Sequence, residues 1–236
     1  MPNTELLCNI VLMLLCYVYV IVVVFISGRL EKMARVSLKL SRKFLHIMIG
    51  NLPLVIPFFT ISFLPGLVAA PFIFMTLLAS PYSPFKSTTV RMKGLSNITE
   101  EGHHLGLVFY AVSYTVLAFM FSSSAYVIAA GILPMAYGDA AASIVGEKSG
   151  RRKIRLVAQK SLEGSVAMFL VSFASLAVSM VFFSFFYRFS LVEKLVASVA
   201  AAGVATFTEG FTPMGFDNIT VPIFSVLVFL LCNGGG

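Results

Sequence analysis

The stretch "YGDAAASIVGEKSGRRKI", residues 137–154, places one carboxylate ahead of a run of cations. Asp139 lies near the end of an apolar segment, where an ionised side chain is costly and is a candidate for a functional role. Lys148, Arg151 and Arg152 follow it, and such cations can neutralise phosphate oxygens. The alternatives are a helix–helix hydrogen bond for Asp139 and ordinary loop charge for the cations. The pattern favours chemistry on a phosphate.

A second polar motif, "KSLEG" at residues 160–164, lies where the next apolar segment begins. A helix that starts there offers free N–H groups and its positive dipole end to an anion. Lys160 and Ser161 could hold a phosphate at that end, and Gly164 would let the backbone approach closely. Glu163 could bind a metal ion or cap the helix. The spacing is not that of a Walker A loop.

A third motif, "TEGFTPMGFDNITVP" at residues 208–222, contains carboxylates and no cation. Glu209 precedes a turn that Pro213 and Gly215 indicate, and Asp217 and Asn218 follow it. Carboxylates opposite a basic phosphate-binding loop suggest a magnesium site. The alternative for Asp217 is that it caps the following helix.

Two further groups are weaker candidates. His46, in "SRKFLHI", is a candidate functional histidine, whereas its neighbours Arg42 and Lys43 are further site candidates whose alternative role is as topology signals only. His103 and His104 are adjacent, so they point in different directions on a helix and do not suggest zinc. A contact with substrate or nucleotide remains their candidate role.

The composition places these motifs in a membrane protein. The chain has 236 residues, of which 58% are hydrophobic and 11% charged, with a mean hydropathy of +0.95. A soluble domain carries roughly a quarter charged residues, so this chain requires lipid around it. The net charge of +7 does not indicate nucleic-acid binding. The cations lie in short loops between apolar segments, and no nucleic-acid-binding motif is present.

Eight apolar segments are candidate membrane spans, at about 20 residues for a full crossing. We therefore predict an all-α, polytopic membrane bundle forming a single domain over residues 1–236. The predicted spans are 6–27, 44–59, 63–79, 105–121, 125–145, 165–187, 191–207 and 219–232.

The loop charges predict the orientation of this bundle. Fifteen of the 17 lysine and arginine residues lie in three of the loops, and Arg188 and Lys194 are assigned to the loop between the sixth and seventh spans. The positive-inside rule places four loops in the cytoplasm and both termini on the other side. Those loops, about 28–43, 80–104, 146–164 and 208–218, carry the polar motifs. The expected active site therefore faces the cytoplasm.

Small residues at Gly138, Ala142 and Gly146 form a stripe along the fifth predicted span, after Pro134, which can kink a helix. Such a stripe lets another helix approach closely. Asp139 lies beside it and is expected to face protein rather than lipid. The stripe would serve packing within the chain or a homodimer equally well.

Taken together, "RKFLHI", "YGDAAASIVGEKSGRRKI", "QKSLEGSVAMF" and "TEGFTPMGFDNITVP" resemble the CTP-dependent polyprenol kinase family, which includes dolichol kinase and phytol kinase. The resemblance covers most of the chain and keeps the motif order. It implies a polytopic membrane enzyme that moves the γ-phosphate of CTP to an isoprenoid alcohol such as a polyprenol, dolichol, phytol or geranylgeraniol. A divalent metal, Mg²⁺ or Mn²⁺, would assist. The site residues carried over are Asp139, Lys160, Ser161, Glu163, Glu209, Asp217 and Asn218.

Two alternatives belong to other classes. CDP-diacylglycerol and CDP-archaeol synthases show a similar order of motifs but transfer the cytidylyl group to a lipid phosphate. Their second motif carries Gly-Asp-Arg, whereas this chain reads Gly-Phe-Asp-Asn at residues 215–218, which favours the kinase. A transporter that relays protons through Asp139 would leave the loop motifs unexplained, and no inverted repeat supports it.

The expected roles follow from these motifs and the resemblance. Lys160, with Arg151 and Arg152, would hold the phosphates of CTP. Asp139 and Asp217 would hold the metal, with Glu163 and Glu209 as further ligands or supporting groups. A carboxylate such as Asp139, or else His46, would accept the alcohol proton, and the isoprenoid tail would lie between spans.

Overall fold

The computed structural model of the chain describes residues 2–34, 37–83, 105–155, 159–213 and 215–232. These ranges are mostly helical, and the chain divides into two compact units, Met1–Ser123 and Ser124–Gly236. Within these ranges, four helical segments are long and apolar enough to cross a membrane: Asn3–Leu30, Ala125–Ser149, Leu162–Phe183 and Leu191–Phe211. Three apolar helices are shorter: Leu64–Ala79, Gly106–Met120 and Asp217–Cys232. The protein is a helical membrane protein, while its number of spans and the side of its termini stay predictions.

The first unit contains one long helix and several shorter ones. They are α1 (Pro2–Ala34), α2 (Leu38–Ile49), a 3₁₀ helix (Leu52–Phe58), α3 (Leu64–Ala79) and α4 (Gly106–Met120). The predicted second span, 44–59, is not one continuous helix. It breaks at Gly50 and Asn51 into α2 and the 3₁₀ helix, which contains Pro53 and Pro57. Proline lacks an N–H for the helical hydrogen-bond ladder, so an uninterrupted α-helix is disfavoured there.

Hydrogen bonds between helices accompany the apolar core of this unit. Buried side chains from α1, α2, α3 and α4 form one cluster, Val23, Leu45, Ala79 and Leu107. The Ser27 hydroxyl of α1 donates to the Ser41 carbonyl of α2 at 2.7 Å, and the Tyr19 hydroxyl donates to the Met48 carbonyl at 2.7 Å. Such bonds stabilise helix pairs in lipid, where apolar contact alone has little driving force.

The second unit contains the three polar motifs. Its elements are α5 (Ala125–Leu133), a π-helical turn (Pro134–Gly138), α6 (Asp139–Ser149), β1 (Lys153–Arg155), β2 (Gln159–Ser161), α7 (Leu162–Phe183), α8 (Leu191–Phe211) and α9 (Asp217–Cys232). β1 and β2 pair antiparallel, with Ile154 opposite Lys160. This hairpin is absent from the predicted all-α fold. The α7 helix packs against α6 and α8, and α8 packs against α9, around fully buried side chains such as Phe183 and Phe229.

The small-residue stripe packs against α7, which confirms that it allows close helix approach. A methyl group at Gly138 would overlap the Ser172 hydroxyl, and one at Gly146 would lie 3.0 Å from the Ser161 hydroxyl. On the facing helix, a methyl group at Gly164 would lie 2.8 Å from the carbonyl oxygen of Ala142. The stripe is used within the chain, so it does not by itself favour a homodimer.

We expect Gly164→Ala to destabilise the protein, because the new methyl group meets a backbone oxygen that cannot rotate away. Overpacking of this kind costs about 1–3 kcal/mol. Gly203→Ala is the matched control, since a methyl group there has nothing within 4 Å. In a helix interior that change should be neutral or stabilising by roughly 0.5–1 kcal/mol. Thermal unfolding of both purified variants checks the pair, and equal midpoints would contradict the close α6–α7 contact.

Candidate active site

An ion pair between Lys160 and Glu209 joins two of the sequence motifs. Lys160 lies on β2, immediately before α7, and Glu209 lies in the last turn of α8. The Glu209 side chain is 2% exposed and the Lys160 side chain 25% exposed. A buried carboxylate is tolerated when it is paired and hydrogen-bonded. The pairing anchors the lysine while leaving part of it accessible.

The start of α7 is held by its own side chains. The Ser161 hydroxyl accepts a hydrogen bond from the Gly164 N–H at 3.1 Å, which makes Ser161 the N-cap. The Leu162 N–H donates to the Arg152 carbonyl at 3.0 Å. Lys160 is therefore positioned directly beside a capped helix N-terminus, where the helix dipole favours an anion.

The Glu163 side chain connects the loop that contains Arg152 to the start of α7. Its two carboxylate oxygens each accept from the Arg152 N–H at 3.4 Å. The carboxylate also interacts with its own backbone N–H in the first turn of α7, in agreement with the helix cap that the sequence suggested as an alternative to metal binding. It holds the backbone of Arg152 close to the first turn of α7.

Asp139 follows a distorted helical turn. Pro134 opens a π-helical turn, and the Asp139 N–H donates to the Pro134 carbonyl across it. Single π turns inside helices are frequent at functional sites. Asp139 is half-buried in the first turn of α6.

The turn between α8 and α9 carries the remaining motif. Gly215 has φ 93°, a left-handed conformation that favours glycine. The Asp217 carboxylate accepts from the Asn218 N–H at 3.0 Å, and the Thr212 and Thr220 hydroxyls lie 3.0 Å apart across the turn. Asn218 is buried. The turn is thus closed by side-chain hydrogen bonds.

The cations that follow Asp139 are accessible. Lys148 lies in the last turn of α6, and Arg151 and Arg152 lie before β1, all with exposed side chains. A soluble anion can reach these side chains without displacing protein groups.

Three predicted residues belong to the first unit. Arg42, Lys43 and His46 are on α2 and are buried, with exposed fractions of 6%, 5% and 3%. Burial on this scale is not expected for cations that act only as topology signals. The His46 ring packs on the Tyr110 ring at 4.7 Å between centroids, and the Tyr110 hydroxyl donates to the His46 carbonyl at 3.0 Å. His103 and His104 lie outside the described residues.

The predicted metal ligands do not form a dense cluster. Among the residues that the structure describes, no group of three or more His, Cys, Asp or Glu side chains could hold a metal ion. Asp139, Glu163, Glu209 and Asp217 are all oxygen donors, the type that Mg²⁺ prefers. Magnesium commonly binds one or two carboxylates and completes its shell with phosphates and water. These four carboxylates therefore fit a magnesium site whose other ligands are phosphate oxygens and water.

The sequence interpretation missed the hairpin and misplaced one cation. The alternation of charged and apolar residues at 153–156 was a strand signal.

Lys194 was assigned to a loop, but it lies in the first turn of α8 and is 3% exposed. Its ammonium lies 4.7 Å from the ring centroid of Tyr126 and 5.9 Å from that of Phe229. Aromatic faces stabilise a buried cation, which explains its position.

Comparison with known proteins decides the family. Phytol kinase from Synechocystis sp. is 32% identical over 214 residues, which cover 89% of this chain and 86% of that relative. The chain belongs to the phytol kinase family. Phytol kinase 1, chloroplastic, from Arabidopsis thaliana is 30% identical, covering 92% of this chain and 73% of the relative. Probable phytol kinase 3, chloroplastic, from Glycine max is 31% identical, covering 80% and 62%.

Membership in the phytol kinase family agrees with the resemblance drawn from the motifs. The protein is a kinase, a phosphotransferase whose acceptor is an alcohol group. A kinase takes its phosphoryl group from a nucleotide. No protein-family model and no solved structure matches the chain.

Ser161→Ala separates capping from catalysis in this kinase. Loss of an N-cap hydroxyl costs about 1 kcal/mol of stability. The matched control is Ser190→Ala, because Ser190 caps α8 by accepting from the Glu193 N–H at 3.4 Å. We expect both variants to lose similar stability. Only Ser161→Ala should also lose turnover, measured per folded molecule. Equal turnover in the two variants would limit Ser161 to capping.

Proposed function

We propose that this protein transfers the γ-phosphate of CTP to the hydroxyl group of a phytol-type isoprenoid alcohol. The observation that carries the proposal is the Lys160–Glu209 ion pair, which joins two polar motifs in a chain of the phytol kinase family. Phosphoryl transfer depends on positioning and charge neutralisation more than on covalent chemistry. An anchored lysine beside a helix N-terminus supplies both.

The nucleotide phosphates would bind at the start of α7. Lys160 keeps a quarter of its side chain exposed, so its ammonium can contact a phosphate while Glu209 orients it. Arg151, Arg152 and Lys148 would add charge at the accessible side. Arginine can grip phosphate oxygens in a bidentate fashion. Ser161, Gly164 and Asn218 are further candidates for nucleotide contact.

Asp139 and Asp217 are the proposed ligands for Mg²⁺ or Mn²⁺. Glu163 accepts from the Arg152 N–H and Glu209 is paired with Lys160, and we propose that these two glutamates serve as further ligands or position those cations. A bound divalent cation would neutralise developing charge on the phosphates. Its remaining ligands would be phosphate oxygens and water.

The transfer itself is an exchange of one phosphorus–oxygen bond for another. The alcohol oxygen forms a bond to the γ-phosphorus, and the bond from that phosphorus to the β,γ-bridging oxygen breaks. CDP leaves with the bonding electrons, and the alcohol proton passes to a base. Asp139 and His46 are the two candidate bases.

The proposed orientation follows from charge and hydropathy. A multi-pass arrangement with eight spans would place the polar motifs at the cytoplasmic edge and both termini on the opposite side. CTP is water-soluble and the alcohol is bilayer-soluble, so the membrane surface is where they can meet.

Product analysis with CTP labelled separately at the γ- and α-phosphates tests the proposal. The acceptors are phytol, geranylgeraniol, a long polyprenol, diacylglycerol and phosphatidic acid, each with Mg²⁺. We expect γ-label on phytol or geranylgeraniol. Transfer of α-label to phosphatidic acid with release of pyrophosphate would make the protein a cytidylyltransferase. No transfer from CTP, but transfer from another labelled nucleotide, would keep the kinase and reject CTP.

A further inference from the structure

The π-helical turn that precedes Asp139 lies inside the second unit. It packs against α7, α8 and α9, and both Pro134 and Gly138 are buried. Because Pro134 has no N–H, the α-helical hydrogen bond to the carbonyl four residues earlier cannot form there. The turn holds one residue more than an α-helical turn, which rotates the following residues by about 100° around the axis relative to a straight α-helix. The direction of the Asp139 side chain therefore depends on this turn.

One side chain of α7 fills the space beside Gly138. The Ser172 hydroxyl oxygen overlaps the position that a β-carbon at residue 138 would occupy. The next nearest atoms, both of Met168, lie 3.2 and 3.3 Å from that position. Ser172 is therefore the main contact of the turn on this side, and glycine at 138 leaves room for it.

The Ser172 hydroxyl is buried in an unusual way. The residue is 0% exposed, and among the described residues its hydroxyl has no hydrogen-bond partner. Burial of an unsatisfied hydroxyl is unfavourable, so each such group in a native protein needs an explanation. Ser179, about two turns further along α7, has the usual arrangement, since its hydroxyl donates to the Leu176 carbonyl at 2.8 Å. The contact with Gly138 supplies the explanation for Ser172.

We propose that Ser172 is a positioning residue, whose hydroxyl packs against Gly138, fixes the π-helical turn and so directs the Asp139 carboxylate toward the divalent cation. The inference rests on the proposed function, in which Asp139 is a ligand for Mg²⁺ or Mn²⁺. Ser172 acts through the shape of the contact and touches neither the cation nor the substrates. Alanine at either position alone would disturb the turn, Gly138→Ala through overlap and Ser172→Ala through a void.

Exchange of the two groups across the contact tests the proposal. In the double variant Gly138→Ala/Ser172→Ala, a methyl group on the turn takes the space that the hydroxyl leaves. Water proton relaxation measures Mn²⁺ binding to the purified protein with CTP and without an acceptor alcohol, so the readout does not depend on turnover. We expect the Kd for Mn²⁺ to rise about tenfold in each single variant, the usual effect of losing a group that orients a metal ligand. The double variant should return close to the wild-type value, because the two positions are directly coupled.

Two matched controls accompany these variants. Ser179→Ala repeats the serine change at another buried position of α7, and Gly203→Ala repeats the glycine change where a methyl group has nothing within 4 Å. Both should keep the wild-type Kd for Mn²⁺. Thermal unfolding is measured in parallel. Lower stability of the single variants with an unchanged Kd would limit the contact to packing and overturn the proposal, as would a double variant no better than the weaker single variant.

Turnover gives a second readout and separates the possible failures. In each single variant kcat should fall about 10²-fold, the cost of a misplacement of about 1 Å at a reacting centre, with an unchanged KM for the alcohol. Absence of phosphate transfer by the wild-type protein would reject the proposed function. Absence of Mn²⁺ binding by the wild type would reject the metal role of Asp139 and this inference with it. Normal kcat and normal Kd in both single variants would reject only the role of Ser172.

Discussion

Lys160→Met is expected to lower kcat/KM for CTP by about 10²–10³-fold, the usual effect of losing one preorganised electrostatic contact to a reacting group. The proposed contact is between the Lys160 ammonium and a phosphate of CTP. Kinetics at saturating isoprenoid alcohol measure the effect. The variant should also lose roughly 3 kcal/mol of stability, because the nearly fully buried Glu209 loses its cationic partner.

A double variant separates these two consequences. Lys160→Met combined with Glu209→Gln removes both charges, and such paired removal usually restores much of the stability. We expect the double variant to fold and remain inactive. Recovery of turnover along with stability would show that the ion pair is only structural. Lys194→Met is the matched control for a buried lysine of the same unit, and its turnover per folded molecule should equal that of the wild type.

Asp139→Asn should abolish phosphate transfer while the protein stays folded. The substitution keeps the size of the side chain and removes its charge, and a carboxylate that binds a divalent cation cannot be replaced by an amide without a large loss. We expect turnover to fall about 10³-fold or more. Assays across a range of Mg²⁺ and Mn²⁺ concentrations, with stability measured in parallel, check the result.

Glu147→Gln is the matched control for Asp139→Asn. Glu147 is a carboxylate on the same helix, α6, but it is exposed and lies in the last turn. The same chemical change there should leave turnover unaffected. Normal turnover in Asp139→Asn would show that the proposed metal-binding role is wrong, and equal losses in both variants would point to a general effect on α6.

The motif residues were identifiable from the sequence because polar groups are rare in an apolar chain. Asp139, Lys160 and Glu209 each interrupt or border a hydrophobic segment, where an ionised side chain is energetically costly and is therefore a candidate for function. A close approach of another helix to the stripe was also predictable, since Gly138, Ala142 and Gly146 recur at helical spacing, whereas only the structure shows that this helix is α7. The comparisons confirmed the kinase family, but the roles of individual site residues stay predictions.

Other features could not be derived from local pattern. Arg42 and Lys43 have the sequence signature of loop charge, yet both are buried on α2. The predicted span 44–59 breaks at Gly50. Its two prolines disfavour a continuous α-helix, but the exact position of the break depends on how the chain packs. The paired strands β1 and β2 have three residues each, which is too short for their pattern to outweigh the surrounding helical signal.

The sequence by itself determined the class of protein, the apolar segments and the polar motifs, because hydropathy, loop charge and glycine spacing are properties of neighbouring residues. Only the tertiary structure decided that Lys160 pairs with Glu209, which lies 49 residues further along the chain. It also decided that Lys194 packs among aromatic rings. Such contacts depend on how separate helices approach one another, and a one-dimensional pattern carries that information only weakly.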